Sequence, residues 1–151
     1  MERYEDPAFY TLLADSYARV VGGRLAPEGL DAVAGAKWLY EEAPYGILAH
    51  TPDADPVFMY GNVAAQRRFG YTWEELTRLP SRLSAEAPDR DARQRFLEQV
   101  QRDGYSSGYR GMRVMKDGKR FYIEDATLWQ LFDAQGGYHG QAVIIPRTRD
   151  V

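Results

Sequence analysis

The stretch 60-YGNVAAQRRFGYTWEEL-76 holds two helix starts and one helix stop within seventeen residues. Asn62 is suited to N-cap a short helix, because its side-chain oxygen accepts backbone N–H bonds. Gly70 is suited to end that helix in a left-handed conformation. Thr72-Trp73-Glu74-Glu75 follows at once and reads as a capping box, Thr72 taking the N–H of Glu75 and Glu75 reaching back. Helices of about two turns are marginal alone, so a larger surface has to hold them.

The chain around this stretch is that of an ordinary globular protein. Its 151 residues read as one domain, 1–151, and 44% of them are hydrophobic. Lys and Arg number 19 against 22 Asp and Glu, a net charge of −3 that argues against direct nucleic-acid binding. Arg67-Arg68 and the pair Arg147 and Arg149 are the only local basic spots, and they read as solvated charge. The absence of cysteine removes disulfides, thiolate nucleophiles and thiolate metal sites together. No apolar run approaches the ~20 residues of a membrane helix, and the start lacks a secretion signal. A cytoplasmic location without membrane contact is the expectation.

Outward from the opening stretch, the N-terminal part reads as helical. Asp6-Pro7 suits a helix start and Gly22-Gly23 a stop, so residues 6–22 form an N-terminal cap helix. Phe9, Leu12, Leu13, Tyr17, Val20 and Val21 make its apolar stripe. A weaker pattern through Leu30, Val33, Ala34, Trp38 and Leu39 predicts a second helix. Tyr45 to His50 and Val57 to Tyr60 read as strands. Beyond Pro88 a helix runs to Gly104, amphipathic through Ala92, Phe96, Leu97 and Val100. Tyr105 to Met115, Arg120 to Phe132 and Tyr138 to Ile145 then read as strands, joined at Asp117-Gly118 and Gly136-Gly137. An α+β fold follows: an antiparallel sheet of about five strands with the short helices on one face. In Arg120 to Phe132, plain alternation puts Phe121, Ile123, Trp129 and Leu131 on one side and Tyr122, Ala126 and Leu128 on the other. Both faces need a cover, and the stripe of the N-terminal helix is the one long enough for the second. That stripe serves either its own sheet or a homodimer interface.

This order resembles the PAS fold, as do Asn62, the run Phe69-Gly70-Tyr71-Thr72-Trp73-Glu74-Glu75-Leu76, the turn Lys116-Asp117-Gly118 and Gly136-Gly137. More narrowly the chain resembles the MEKHLA domain, a PAS-related family. The likeness rests on YGNVAAQRRFGYTWEELTRLPSRLSAE, GMRVMKDGKRFYIEDATLWQL and GYHGQAV, and runs from about Asp6 to Pro146. It implies a sensory or regulatory module with a small organic ligand in its cavity, or a ligand-free dimerisation module. In plants the domain sits at the end of certain homeodomain transcription factors. The resemblance names no ligand, and no cofactor is expected. A flavin photoadduct needs a cysteine, and haem-binding relatives usually carry a histidine on the long helix, where this chain has none. His50 and His139 read as partly exposed imidazoles, and no metal site is expected.

The candidate ligand-binding residues are Tyr60, Asn62, Phe69, Trp73, Phe96, Arg113, Glu124 and Gln141. Arg113 and Glu124-Asp125 flank the Asp117-Gly118 turn, and relatives that bind flavin place polar contacts at such positions. Counting from that turn aims the second contact at Ile123, and counting back from Gly136 aims it at Glu124, which predicts a bulge or a one-residue slip. The alternatives are an Arg113–Glu124 or Arg113–Asp125 ion pair, capping alone for Asn62, and core packing for Phe69, Trp73 and Phe96. No catalytic residue is assigned. A small cone-shaped isomerase or dehydratase is the rival from another class, with Asp125, Tyr122 and His139 in its acid–base roles.

Overall fold

Asn62 and Thr72 start helices in the structure, a computed structural model that describes residues 1–151 apart from the side chains of residues 87–89. Asp6 caps α1 (Pro7–Val20) and Asp31 caps α2 (Ala32–Glu41). Strands β1 (Gly46–His50) and β2 (Phe58–Gly61) lead into α3 (Val63–Phe69) and α4 (Trp73–Leu76). A 3₁₀ turn at Ser81–Ser84 precedes α5 (Ala87–Asp103). Pro88, read as the start of that helix, is among the residues whose side chains are not described. Strands β3 (Tyr105–Val114), β4 (Arg120–Phe132), β5 (Tyr138–Ile145) and β6 (Arg147–Asp150) complete the chain. The local signals act as their chemistry dictates. Gly70 sits at φ 82° and returns its N–H to Gln66, and both bonds of the Thr72–Glu75 capping box are present.

The sheet is antiparallel, in the order β2-β1-β5-β4-β3, with β6 as a sixth strand paired to the first half of β4. One face is covered by α3, α4 and α5 and the other by α1 and α2. Phe9 and Leu13 of α1 are buried with Ile47, Trp129 and Leu131. Ser16 of the same helix holds the end of β4, its hydroxyl bonding the N–H and C=O of Phe132. Of the two uses set out for the α1 stripe, covering its own sheet accounts for these side chains. In α2 the burial falls on Gly35, Ala36 and Leu39, and the expected apolar positions Leu30 and Val33 are exposed. Gly35 fits there because Tyr10 of α1 packs onto its bare Cα, where a Cβ would lie 2.4 Å from the ring.

Two bulges correct the simple alternation along β4. Asp125 has φ 55°, the one non-glycine residue at positive φ among the described residues, and it adds a residue to β4 between Ile123 and Ala126. Gly108 adds the compensating residue to β3 between Ser106 and Tyr109. The faces therefore switch at Asp125. Phe121 and Ile123 share the α3 side with Ala126, while Trp129 and Leu131 face α1 and α2. This is the slip that counting from the two turns predicted.

Candidate functional site

A cavity of about 50 Å³ lies between the inner face of the sheet and α5. That is room for a few water molecules, whereas cofactor pockets run to roughly 300–1,000 Å³. Its walls are largely apolar, with Leu48, Phe58, Phe69, Phe96, Ile123 and Leu128 among them. The polar groups are His50, Ser84, Arg93, Tyr109, Arg113 and Gln141. Each is brought in by its element. β3 turns Tyr109, Gly111 and Arg113 to the same face, opposite Ala126, Ile123 and Phe121 of β4. A Cβ on Gly111 would lie 2.5 Å from the Tyr109 hydroxyl and 3.1 Å from Arg113 Nη1, so the glycine leaves the space those side chains fill. His50 and Gln141 are register partners on β1 and β5. α5 contributes Arg93, Phe96 and Leu97, which with the buried Val100 make one face at i, i+3, i+4 and i+7. The Phe96 ring lies 4.0 Å from that of Tyr109.

Charge dominates this small space. Arg113 is 6% exposed and Arg93 8% exposed, and among the described residues neither has a carboxylate partner. Arg113 donates to its neighbour's carbonyl on Met112 at 2.8 Å and to the Tyr109 hydroxyl at 3.0 Å. Arg93 donates to Ser81 Oγ at 2.8 Å. Burial, with the positive charge of Arg113 adding to it, pulls the Arg93 pKa down to about 10, so it stays protonated at neutral pH. His50 Nδ1 lies 3.1 Å from the same Ser81 Oγ. Burial and the charge of Arg93 push His50 down to about 4, against a side-chain hydrogen bond with Gln141, so His50 is neutral. Gln141 Oε1 is fully buried, and its side chain stands beside His50 and Tyr138.

Phe69, Phe96, Arg113 and Gln141 of the candidates thus line one cavity. The other four lie elsewhere. Tyr60 pairs with Ala49 on the opposite face of the sheet and packs on Phe9. Trp73 sits beside Tyr4 and Tyr40, its indole N–H donating to Glu2. Asn62 is fully buried and fully used. Its Oδ1 accepts from Ala65 and Ile47, and its amide donates to the carbonyls of Leu39 and Tyr45. Glu124 is on the outer face, between Arg110 and Arg149, and Asp125 pairs with Arg147, so the Arg113–Glu124 and Arg113–Asp125 pairs do not form. The acid–base set of the enzyme reading stays dispersed: Asp125 is on the surface, Tyr122 lies under Arg110, and His139 pairs with Asp133. His50, expected to be partly exposed, is buried. Arg93 was hidden in the sequence because Ala92 seemed to complete the α5 stripe, yet Ala92 is exposed and Arg93 takes the inward position.

The MEKHLA domain family model matches residues 8–149, nearly the whole chain. The chain belongs to the MEKHLA domain family. No curated protein shows significant similarity to this MEKHLA domain. Solved structures share its fold at low identity. A PAS domain from Colwellia psychrerythraea has 18% identity and a TM-score of 0.58, over 71% of this chain and 86% of that one. A PAS domain from a two-component sensor histidine kinase has 18% identity and a TM-score of 0.57, over 76% and 91%. A light-oxygen-voltage domain studied with a flavin analogue has 15% identity and a TM-score of 0.58, over 72% and 78%. The MEKHLA domain therefore has the PAS fold of sensory domains. No helix among the described residues is long and apolar enough to cross a membrane.

Proposed function

We propose that this MEKHLA domain is a sensory module whose cavity binds a small organic anion between Arg93 and Arg113. One observation carries the reading: two buried guanidiniums face one cavity with no carboxylate against them among the described residues. A buried unpaired charge costs several kcal/mol, and two like charges repel as well. An anion relieves both costs, and a carboxylate matches the guanidinium fork. The cavity volume of about 50 Å³ favours a ligand of a few non-hydrogen atoms over a flavin or haem. A ligand-free structural module is the competing reading, and the acid–base candidates Asp125, Tyr122 and His139 do not line the cavity.

Thermal unfolding with a panel of short carboxylates, phosphate and chloride at constant ionic strength tests this. A ligand at ~100 times its Kd adds about 2.7 kcal/mol. For a chain of this size that is a rise of roughly 5–11 °C. Arg113→Met and Arg93→Met should each abolish the rise while leaving a folded protein. No stabilisation by any anion, or full stabilisation in both variants, rejects the proposal.

A further inference from the structure

His50 is the one imidazole in the cavity, and it shares an anchor with an arginine of the anion site. Its Nδ1 lies 3.1 Å from Ser81 Oγ, the hydroxyl to which Arg93 donates at 2.8 Å. Arg113 lines the same cavity. Other titratable groups face His50 from the elements around it. Tyr109 of β3 lines the cavity with it, and Asp53 of the β1–β2 connection, Glu98 of α5 and Tyr138 of β5 line a hollow on its other side. Its register partners, Phe58 of β2 and Gln141 of β5, carry no charge. Asp53 and Glu98 are exposed, so water and salt screen them. Burial and the Arg93 charge therefore decide the state of the ring, and they keep it neutral. An anion between the arginines cancels much of that positive field and places an opposite charge in the same small space. Resting on the anion-binding reading, we infer that anion and proton bind this domain together: an anion seated between Arg93 and Arg113 draws a proton onto His50, so the site answers its ligand more strongly as the pH falls.

A proton that binds the filled site more tightly than the empty one tightens the anion by the same factor. In the empty domain His50 takes its proton only near pH 4, and with the anion seated it takes it at a higher pH. Between those two values each unit of falling pH tightens the anion by up to about tenfold. If the anion restores His50 to its ordinary value of about 6.5, the gain from pH 7.5 to 5.5 is about tenfold. Arg93, pulled down only to about 10, keeps its charge over this range.

Formate is the probe, because it stays ionised over that range and is small enough for the cavity. Calorimetric titration of the full chain at pH 7.5, 6.5 and 5.5, at one ionic strength and in two buffers of different ionisation enthalpy, gives both the affinity and the protons taken up. The affinity should rise about tenfold from pH 7.5 to 5.5, with uptake approaching one proton per formate at the acid end. His50→Gln should bind formate equally at every pH and take up no proton, and Glu98→Gln should behave as the wild type. A wild-type affinity that does not change with pH, or an uptake that persists in His50→Gln, overturns the coupling and leaves anion binding standing. Absence of formate binding at every pH also overturns it, and the anion reading falls with it only if chloride, phosphate and the other carboxylates fail too. The chain has two histidines, so proton NMR of His139→Gln follows the His50 ring alone and decides the matter should His50→Gln not fold. Its titration should move up by at least about one pH unit on adding formate, and an unmoved titration overturns the proposal.

Discussion

Lowering the pH should unfold this protein through His50, by an amount its burial fixes. The imidazole is 8% exposed, touches Ser81, and is held at about 4 against an ordinary value of 6.5. Its folded pKa is thus below its unfolded one, and between the two values the unfolded chain binds the extra proton. Stability is therefore full above about pH 6.5 and is lost as the pH falls toward 4. A difference of about 2.5 pH units corresponds to roughly 3 kcal/mol at the limit. That is a large part of the ~5–15 kcal/mol available to a small protein. Urea unfolding at steps from pH 7.5 to 4.5, on the wild type and on His50→Gln, isolates it. Most carboxylates titrate below this window, and those still titrating act equally on both proteins. The wild-type stability should fall by about 2–3 kcal/mol more than that of the variant, most steeply below pH 6. Parallel curves for the two proteins would refute the argument, because a histidine exposed enough to protonate freely carries no such linkage.

Other parts of the structure give sharper mechanical expectations. Asn62→Ala removes the α3 cap and leaves two carbonyls and the Ile47 N–H without a partner, so it should cost about 3–5 kcal/mol, read as a lower urea midpoint. A loss under 1 kcal/mol would mean that water replaces all four bonds. Gly111→Ala should displace Tyr109 and Arg113 and weaken anion binding about tenfold or more while α3 and α4 stay formed, checked by titration and by amide exchange. Deleting residues 1–23 bares Trp129 and Leu131 and removes the Ser16 bonds to Phe132. The truncated chain should lose its cooperative melting transition, and an unchanged melting temperature would show that α1 covers nothing that matters.

The fold was legible because its punctuation is local. A cap at Asn62, a capping box at Thr72 and the turns at Asp117-Gly118 and Gly136-Gly137 each act within a few residues, and their chemistry leaves few alternatives. β6 was not legible, since Arg147–Asp150 is exposed along its length and carries no apolar alternation. The site divides along the same line. Phe69, Phe96, Arg113 and Gln141 could be found because motif and turn spacing place them. Tyr60 and Glu124 could not be sided correctly, because strand facing depends on irregularities such as the Asp125 bulge and the shift between β1 and β2. Arg93 escaped for another reason. An arginine at an inward helical position reads as a break in the apolar stripe, and only the tertiary structure shows that the stripe runs 93, 96, 97 and 100 rather than starting at Ala92.

The central claim is that an anion belongs between two buried arginines, and a crystal structure of the protein grown with the short carboxylate that raises its melting temperature most tests it most directly. The account predicts a carboxylate bonded to the guanidiniums of both Arg93 and Arg113, with His50 and Gln141 around it and the helices on the other face of the sheet unmoved. A cavity holding only water, with both guanidiniums still bonded to Ser81 and Tyr109 alone, would contradict it.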